Sequence, residues 1–234
     1  MSARRLELQV DDEIIVGDVL GEQHQLRALF LHGAGQSDRQ RQRLLREDLV
    51  HAGFGSVALD FSGHGESSAN SPGSLKKRLR QAQGMLAHAD AAQTIRAVVG
   101  TSMSGEIALR LACEPGSRID HVVLIVGAIY DRAAFSIPFG PEFSAVIRQP
   151  QSWRQAETLE LIRNYRGGLT LVRALEDAVI PHEVADLLEQ TAVSARFRRI
   201  IDLPATDHRV SEKMTNDAAL RQRIAAAIKT EDRK

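Results

Sequence analysis

The sequence predicts an α/β fold: one domain over residues 1–234, with a mostly parallel central sheet, flanking helices and a short insertion at residues 128–168. Three observations predict it. Short apolar runs recur without polar alternation, as strands covered on both faces require. Segments of helical spacing fall between them, and strand-helix alternation is the pattern of a parallel sheet. The chain of 234 residues, 43% hydrophobic and 26% charged, can bury one large core without disulfides or metals.

Taken in order, Arg5 to Val10 and Ile14 to Leu20 alternate around the turn-prone pair Asp11-Asp12, which predicts an opening hairpin. The non-alternating runs follow at Ala28–Leu31, Ser56–Leu59, Ile95–Val99, His121–Val126, Leu169–Val172 and Arg199–Leu203. Helical spacing of apolar residues marks 38–52, 105–113, 182–192 and 216–229. One interval breaks the rhythm. Between Ala128 and Gly168 lie six of the chain's ten aromatics, Tyr130, Phe135, Phe139, Phe143, Trp153 and Tyr165, interrupted by Pro138, Pro141 and Pro150. The interval reads either as a small cap over an apolar pocket walled by Tyr130, Phe135, Phe139 and Trp153, or as a packing excursion.

Charge excludes some function classes. Thirty basic residues balance thirty acidic ones, which argues against a dedicated nucleic-acid surface. The densest basic run, Lys76, Lys77, Arg78 and Arg80, reads as the solvated face of a helix. A single cysteine, Cys113, forms no intramolecular disulfide, and its apolar helical setting predicts a buried, inert thiol. No stretch reaches the roughly 18 consecutive apolar residues of a membrane span. The start, Met1-Ser2-Ala3-Arg4-Arg5, leads into the hairpin without a signal-peptide core, so the expectation is a soluble, cytoplasmic protein.

The strongest local signal is Val98-Val99-Gly100-Thr101-Ser102-Met103-Ser104-Gly105, running directly into Ile107-Ala108-Leu109. A buried strand turns sharply into a helix here. Such a turn projects its apex serine from the strand end, and it needs small residues two positions either side because strand and helix pass closely. Gly100 meets the first requirement; Ser104 stands at the second, where glycine is usual. Ser102, at the apex, is therefore the candidate nucleophile, with Ser104, already in the first helical turn, as the alternative. After an earlier strand, His32-Gly33-Ala34-Gly35 forms a loop able to aim a backbone N–H at a developing oxyanion. The expected donors are the N–H groups of Ala34 and Met103, with His32 supporting the loop.

On these motifs, and on Asp60-Phe61-Ser62-Gly63-His64-Gly65-Glu66-Ser67 after the next strand, the chain resembles the α/β-hydrolases from about residue 14 to residue 229. In that family the Asp60–Ser67 stretch is a structural turn, usually with Arg where Ser62 stands, so His64 reads as scaffold. Eight histidines compete for the base. Only His208 lies between the last expected strand and the last helix, and Thr206-Asp207-His208-Arg209-Val210-Ser211 is similar to the family's histidine loop. The resemblance also implies the acid: Asp177, shortly before Ile180-Pro181, matches the carboxylate after the penultimate strand. Glu176 and Asp131 are its rivals, and Asp207 is poorly placed beside His208. Ser102, Asp177, His208 is the chain order of this fold.

The implied reaction is acyl transfer to water on a small-molecule acyl substrate, a carboxylic ester or thioester first. Amide, lactone and C–C cleavage, and perhydrolysis, use the same residues. No cofactor, metal, nucleic-acid or membrane partner is expected, and oligomeric state is not legible. A different class stays open, in which Ser104 and Ala174, both departures from family glycines, mark a binding protein with little turnover.

Overall fold

The alternating segments pair as expected: β1 (Arg4–Val10) and β2 (Glu13–Leu20) form an antiparallel hairpin around Asp11 and Asp12. The computed structural model describes residues 3–229; the ends of the expected domain, 1–2 and 230–234, lie outside the described residues. Each non-alternating run is a strand: β3 (Leu26–Leu31), β4 (Gly55–Leu59), β5 (Ala97–Thr101), β6 (His121–Ile125), β7 (Gly168–Ala174) and β8 (Phe197–Leu203). The eight strands lie in the order β1-β2-β4-β3-β5-β6-β7-β8, parallel throughout except that β2 runs against β1 and β4.

Helices cover both faces. Along β3, Leu29 and Leu31 point to one side, against α2 (Leu75–Ala89) and α3 (Ser104–Cys113), while Ala28 and Phe30 point to the other, against α1 (Arg43–His51). Residues 128–168 fold into 3-10 turns at Arg132–Ser136 and Ser152–Gln155, with α4 (Pro141–Ile147) and α5 (Thr158–Ile162). Next come α6 (His182–Thr191), then α7 (Val210–Asn216) and α8 (Ala218–Ile228), with α6 on the side of α3 and the last two on the side of α1. Each fully buried Leu or Phe along β3 contributes about 1.5–3 kcal/mol. Two expected helices start late for local reasons. The Asp38 carboxylate caps a 3-10 turn at Arg39–Gln42 before α1, and Asp217 interrupts 216–229 by accepting the Leu220 N–H at 2.9 Å to cap α8.

Two sequence expectations, on the basic run and on Cys113, are corrected here. The hairpin also carries a burial that its alternation did not predict: β2 is buried from Ile15 to Leu20, covered by α2 and the α1 side at once. Its polar residue Asp18 therefore sits inside, 2.9 Å from Arg39 Nε and 2.6 Å from Arg46 Nη2. The basic run is not a solvated face. Lys76 and Arg80 are exposed, but Lys77 reaches Glu13 at 2.6 Å and Arg78 is only 3% exposed. Leu75, Arg78, Ala82, Met85 and Ala89 all lie on the buried stripe of α2, a spacing that was readable in the sequence. Cys113 is half-buried rather than buried, and burial still pushes its thiol up to about 12, so it is unreactive near neutrality. Among the described residues, no helix is long and apolar enough to cross a membrane.

The buried pairing of one carboxylate with two guanidiniums yields a stability prediction. Asp18→Asn strips the charge from the centre of the cluster and leaves Arg46 buried without its carboxylate. Urea unfolding should show a loss of about 3–5 kcal/mol; a loss under about 1 kcal/mol would mean that the ion pair is energetically idle.

Candidate active site

The site lies where the strand order reverses. From β3 the chain passes to β4 on one side, whereas β5 returns to pair with β3 on the other, Leu31 opposite Gly100. In open α/β sheets a crevice forms at the carboxyl ends of the strands at such a point. The loop after β3 and the turn after β5 therefore become neighbours.

Ser102 sits at that turn with φ +49°. A non-glycine residue there costs on the order of 1–3 kcal/mol and persists only when the surroundings hold it. They do: the Ser102 N–H donates to the Ile125 carbonyl at 3.0 Å, and its own carbonyl accepts from Gly105 and Ala128, each at 2.9 Å. Glycines let the backbones approach. A Cβ on Gly100 would lie 2.4 Å from the Ser104 carbonyl oxygen, and one on Gly105 would lie 2.7 Å from that of Ala128. Ser104 takes the usual glycine position because its buried hydroxyl donates to the His32 carbonyl. The two serines are thus distinguished: one hydroxyl is tied to the loop after β3, the other faces His208.

Ser102 Oγ lies 2.9 Å from His208 Nε2, and His208 Nδ1 donates to Asp177 Oδ2 at 2.8 Å. The carboxylate fixes the proton on Nδ1 and leaves Nε2 as the acceptor for the serine hydroxyl. Asp177 Oδ1 in turn accepts the N–H groups of Val179 at 2.8 Å and Ile180 at 3.0 Å. The rival carboxylates are placed elsewhere: Glu176 is exposed, Asp131 caps a turn through the Ala133 N–H, and Asp207 pairs with Arg209.

Around this relay, Gly33 borders the nucleophile closely, since a Cβ there would sit 3.3 Å from Ser102 Cβ. Ala34 follows on the exposed loop, and Met103 is the cap residue of α3. Phe139 flanks the Arg78 guanidinium, its ring centre 5.4 Å away, and meets Phe143 edge-on; Tyr130 packs on Phe143. Phe135 and Trp153 are engaged differently, the first beneath Arg110 at 3.7 Å and the second beneath Arg154 at 4.6 Å. Beside Asp177 a cavity of about 20 Å³ has room for one water. Open cavities of about 390 and 570 Å³ lie at the other ends of the strands, around Arg118 and Ile119, remote from Ser102. One polar side chain next to the loop after β3, Arg78, was not singled out from the sequence as part of a site.

Sheet order, helical layers and the turn at Ser102 define an α/β-hydrolase fold. Residues 22–231 match the model of the hydrolase family described as serine aminopeptidase, S33, and the chain belongs to that family. No curated protein matches it. Solved structures similar to it include the thioesterase domain from the curacin biosynthetic pathway, at 17% identity and TM-score 0.74, covering 98% of this chain and 100% of that one. An esterase from Exiguobacterium antarcticum aligns at 14% identity and TM-score 0.71, covering 94% and 97%. Est1E from Butyrivibrio proteoclasticus, solved with ferulic acid, aligns at 15% identity and TM-score 0.70, covering 96% and 100%. At these identities the likeness is one of fold.

The environment of Asp177 predicts a pH effect. Burial by itself raises its pKa, but the hydrogen bonds from His208, Ile180 and Val179 outweigh it and hold the carboxyl below its ordinary value of 3.8. A carboxyl depressed in the folded state stabilises the fold above its unfolded value, and that share is lost as pH falls through the folded value. As pH falls below about 4, unfolding free energy should therefore fall more steeply for the wild type than for Asp177→Asn. Parallel curves would show that Asp177 is not held in this way.

Proposed function

We propose that the protein is a serine hydrolase that cleaves a small carboxylic ester or thioester through an acyl-enzyme. The observation that carries this reading is the unbroken relay from Ser102 through His208 to Asp177, at 2.9 and 2.8 Å, on a strained turn at the sheet's carboxyl edge. His208 takes the Ser102 proton as Oγ attacks the carbonyl carbon. The oxyanion rests on the N–H groups of Ala34 and Met103. His208 then protonates the leaving alkoxide or thiolate, and water, activated by the same imidazole, hydrolyses the acyl-enzyme. Asp177 keeps the proton on Nδ1 and stabilises the imidazolium.

The surroundings favour an uncharged acyl compound. An aminopeptidase needs a carboxylate to receive the substrate's α-ammonium group. The buried carboxylate groups beside the serine turn are committed: Asp177 to His208, and Glu106, on the first turn of α3, to Arg110 and Thr158. Tyr130 and Phe139 offer an apolar wall instead. A relay already within hydrogen-bond distance weighs against a protein of this fold that only binds.

A fluorophosphonate probe followed by intact mass should add one label to the wild type, mapped to Ser102 and absent in Ser102→Ala. His208→Ala should lower turnover of p-nitrophenyl esters by on the order of 10⁴-fold or more. Esters and acyl thioesters should turn over faster than aminoacyl p-nitroanilides. A folded wild-type protein that takes no label and cleaves no ester would overturn the reading.

A further inference from the structure

We propose that Arg78, on α2, is a positioning residue that holds the Gly33–Ala34 peptide with its N–H turned toward Ser102. The inference rests on the hydrolase reading and deepens it. Gly33's carbonyl oxygen accepts two hydrogen bonds, from Arg78 Nη1 at 3.1 Å and from His32 Nδ1 at 2.8 Å. The His32 donor is fixed, because its Nε2 accepts the Phe61 N–H at 3.0 Å and its proton must then sit on Nδ1. In a planar trans peptide, the carbonyl and the following N–H point in opposite directions. Two donors on the Gly33 oxygen therefore fix where the Ala34 N–H points, on a peptide whose α-carbon borders Ser102.

Arg78 also reaches the far end of the loop. Its Nη2 donates to His64 Nε2 at 2.8 Å, and His64 Nδ1 donates to the Ser37 carbonyl at 2.8 Å. One guanidinium thus ties residues 33 and 37 and brackets the exposed stretch Ala34–Gln36. Its plane is fixed by Phe61, whose ring centre is 4.6 Å from the guanidinium carbon, and by Phe139 on the same side chain.

The charge is not neutralised by a carboxylate. Among the described residues, no acidic side chain pairs with Arg78, although the other buried cations of the fold, Arg39, Arg46, Lys77 and Arg110, each meet one. Burial moves Arg78 down to about 10, still well above neutrality, so it stays charged. Burial and the Arg78 charge lower both His32 and His64, which keeps the two imidazoles neutral acceptors and donors around it. An isolated buried cation is expensive. Placed at the carbonyl end of the Gly33–Ala34 peptide, it polarises that peptide so that the N–H end is more positive, where negative charge develops in the transition state.

The test compares Arg78→Met, Arg78→Lys and wild type on an activated ester, with active sites counted by fluorophosphonate so that only folded enzyme is scored. The expected result for Arg78→Met is a fall in kcat of about 10- to 100-fold, smaller than the loss of a direct oxyanion donor, with KM within about threefold. Affinity for a trifluoromethyl ketone, which forms an oxyanion adduct, should weaken by the same factor, and Arg78→Lys should recover part of both. His64→Leu, which frees only the Ser37 end, should give a smaller fall in kcat and covers the case in which Arg78→Met does not fold. Unchanged kcat per labelled site in every variant, or a raised KM with kcat intact, would overturn the role of Arg78 while leaving the hydrolase standing. A wild type that neither labels nor turns over would instead remove the reading beneath it.

Discussion

The left-handed backbone at Ser102 is the constraint on which the rest of this edge of the sheet depends. A strained residue at the end of a central strand is held only if its peptide groups are occupied, and the three bonds to Ile125, Gly105 and Ala128 occupy them. Those bonds in turn fix the start of α3 and the exit of β6, including the entry into the aromatic segment at Ala128. The small residues at 100 and 105 are the steric side of the same requirement. With the hydroxyl thrown clear of the strand, a base can approach it from the far loop after β8, and a backbone donor from the loop after β3.

Buried charge is handled in two opposite ways in one fold. On the side of β2, Arg39 gathers Asp18, Asp60 and Glu66, and Arg46 shares Asp18, so the cations and carboxylates inside the scaffold meet one another. That cluster pins the turn after β4, where Asp60 also accepts the Glu66 N–H at 3.0 Å. Beside Ser102, neutral imidazoles, aromatic faces and a carbonyl surround a lone guanidinium. The first arrangement stabilises a turn; the second leaves a positive field beside the place where an oxyanion would form. The acid of the relay is held by its own hydrogen bonds, from His208, Val179 and Ile180.

Much of this was legible in the residues, and the reason is locality. Non-alternating runs marked strands because a doubly covered strand has no wet face, and Gly100-x-Ser102 marked the turn because the steric need is set by neighbours in sequence. The alternation of Ile14 to Leu20 marked the hairpin but not the burial of its second strand. Period two reports a polar side chain, but a polar side chain such as Asp18 goes inside when two arginines from other elements meet it there. Likewise, Lys77 and Arg78 looked solvated as members of a basic run. Only the stripe Leu75, Arg78, Ala82, Met85, Ala89 carried the contrary signal.

By itself, then, the sequence determined the strands, the sharp serine turn and the order in which serine, carboxylate and histidine follow one another, all properties of short windows of backbone chemistry. The tertiary structure decided between Ser102 and Ser104 and among the rival carboxylates, and it alone brought a helix arginine onto the loop after β3. Those outcomes depend on the crossing of β3 and β5 at the switch point and on hydrogen-bond partners far away in sequence. No local pattern encodes such long-range neighbours, because they exist only once the sheet has set its strand order.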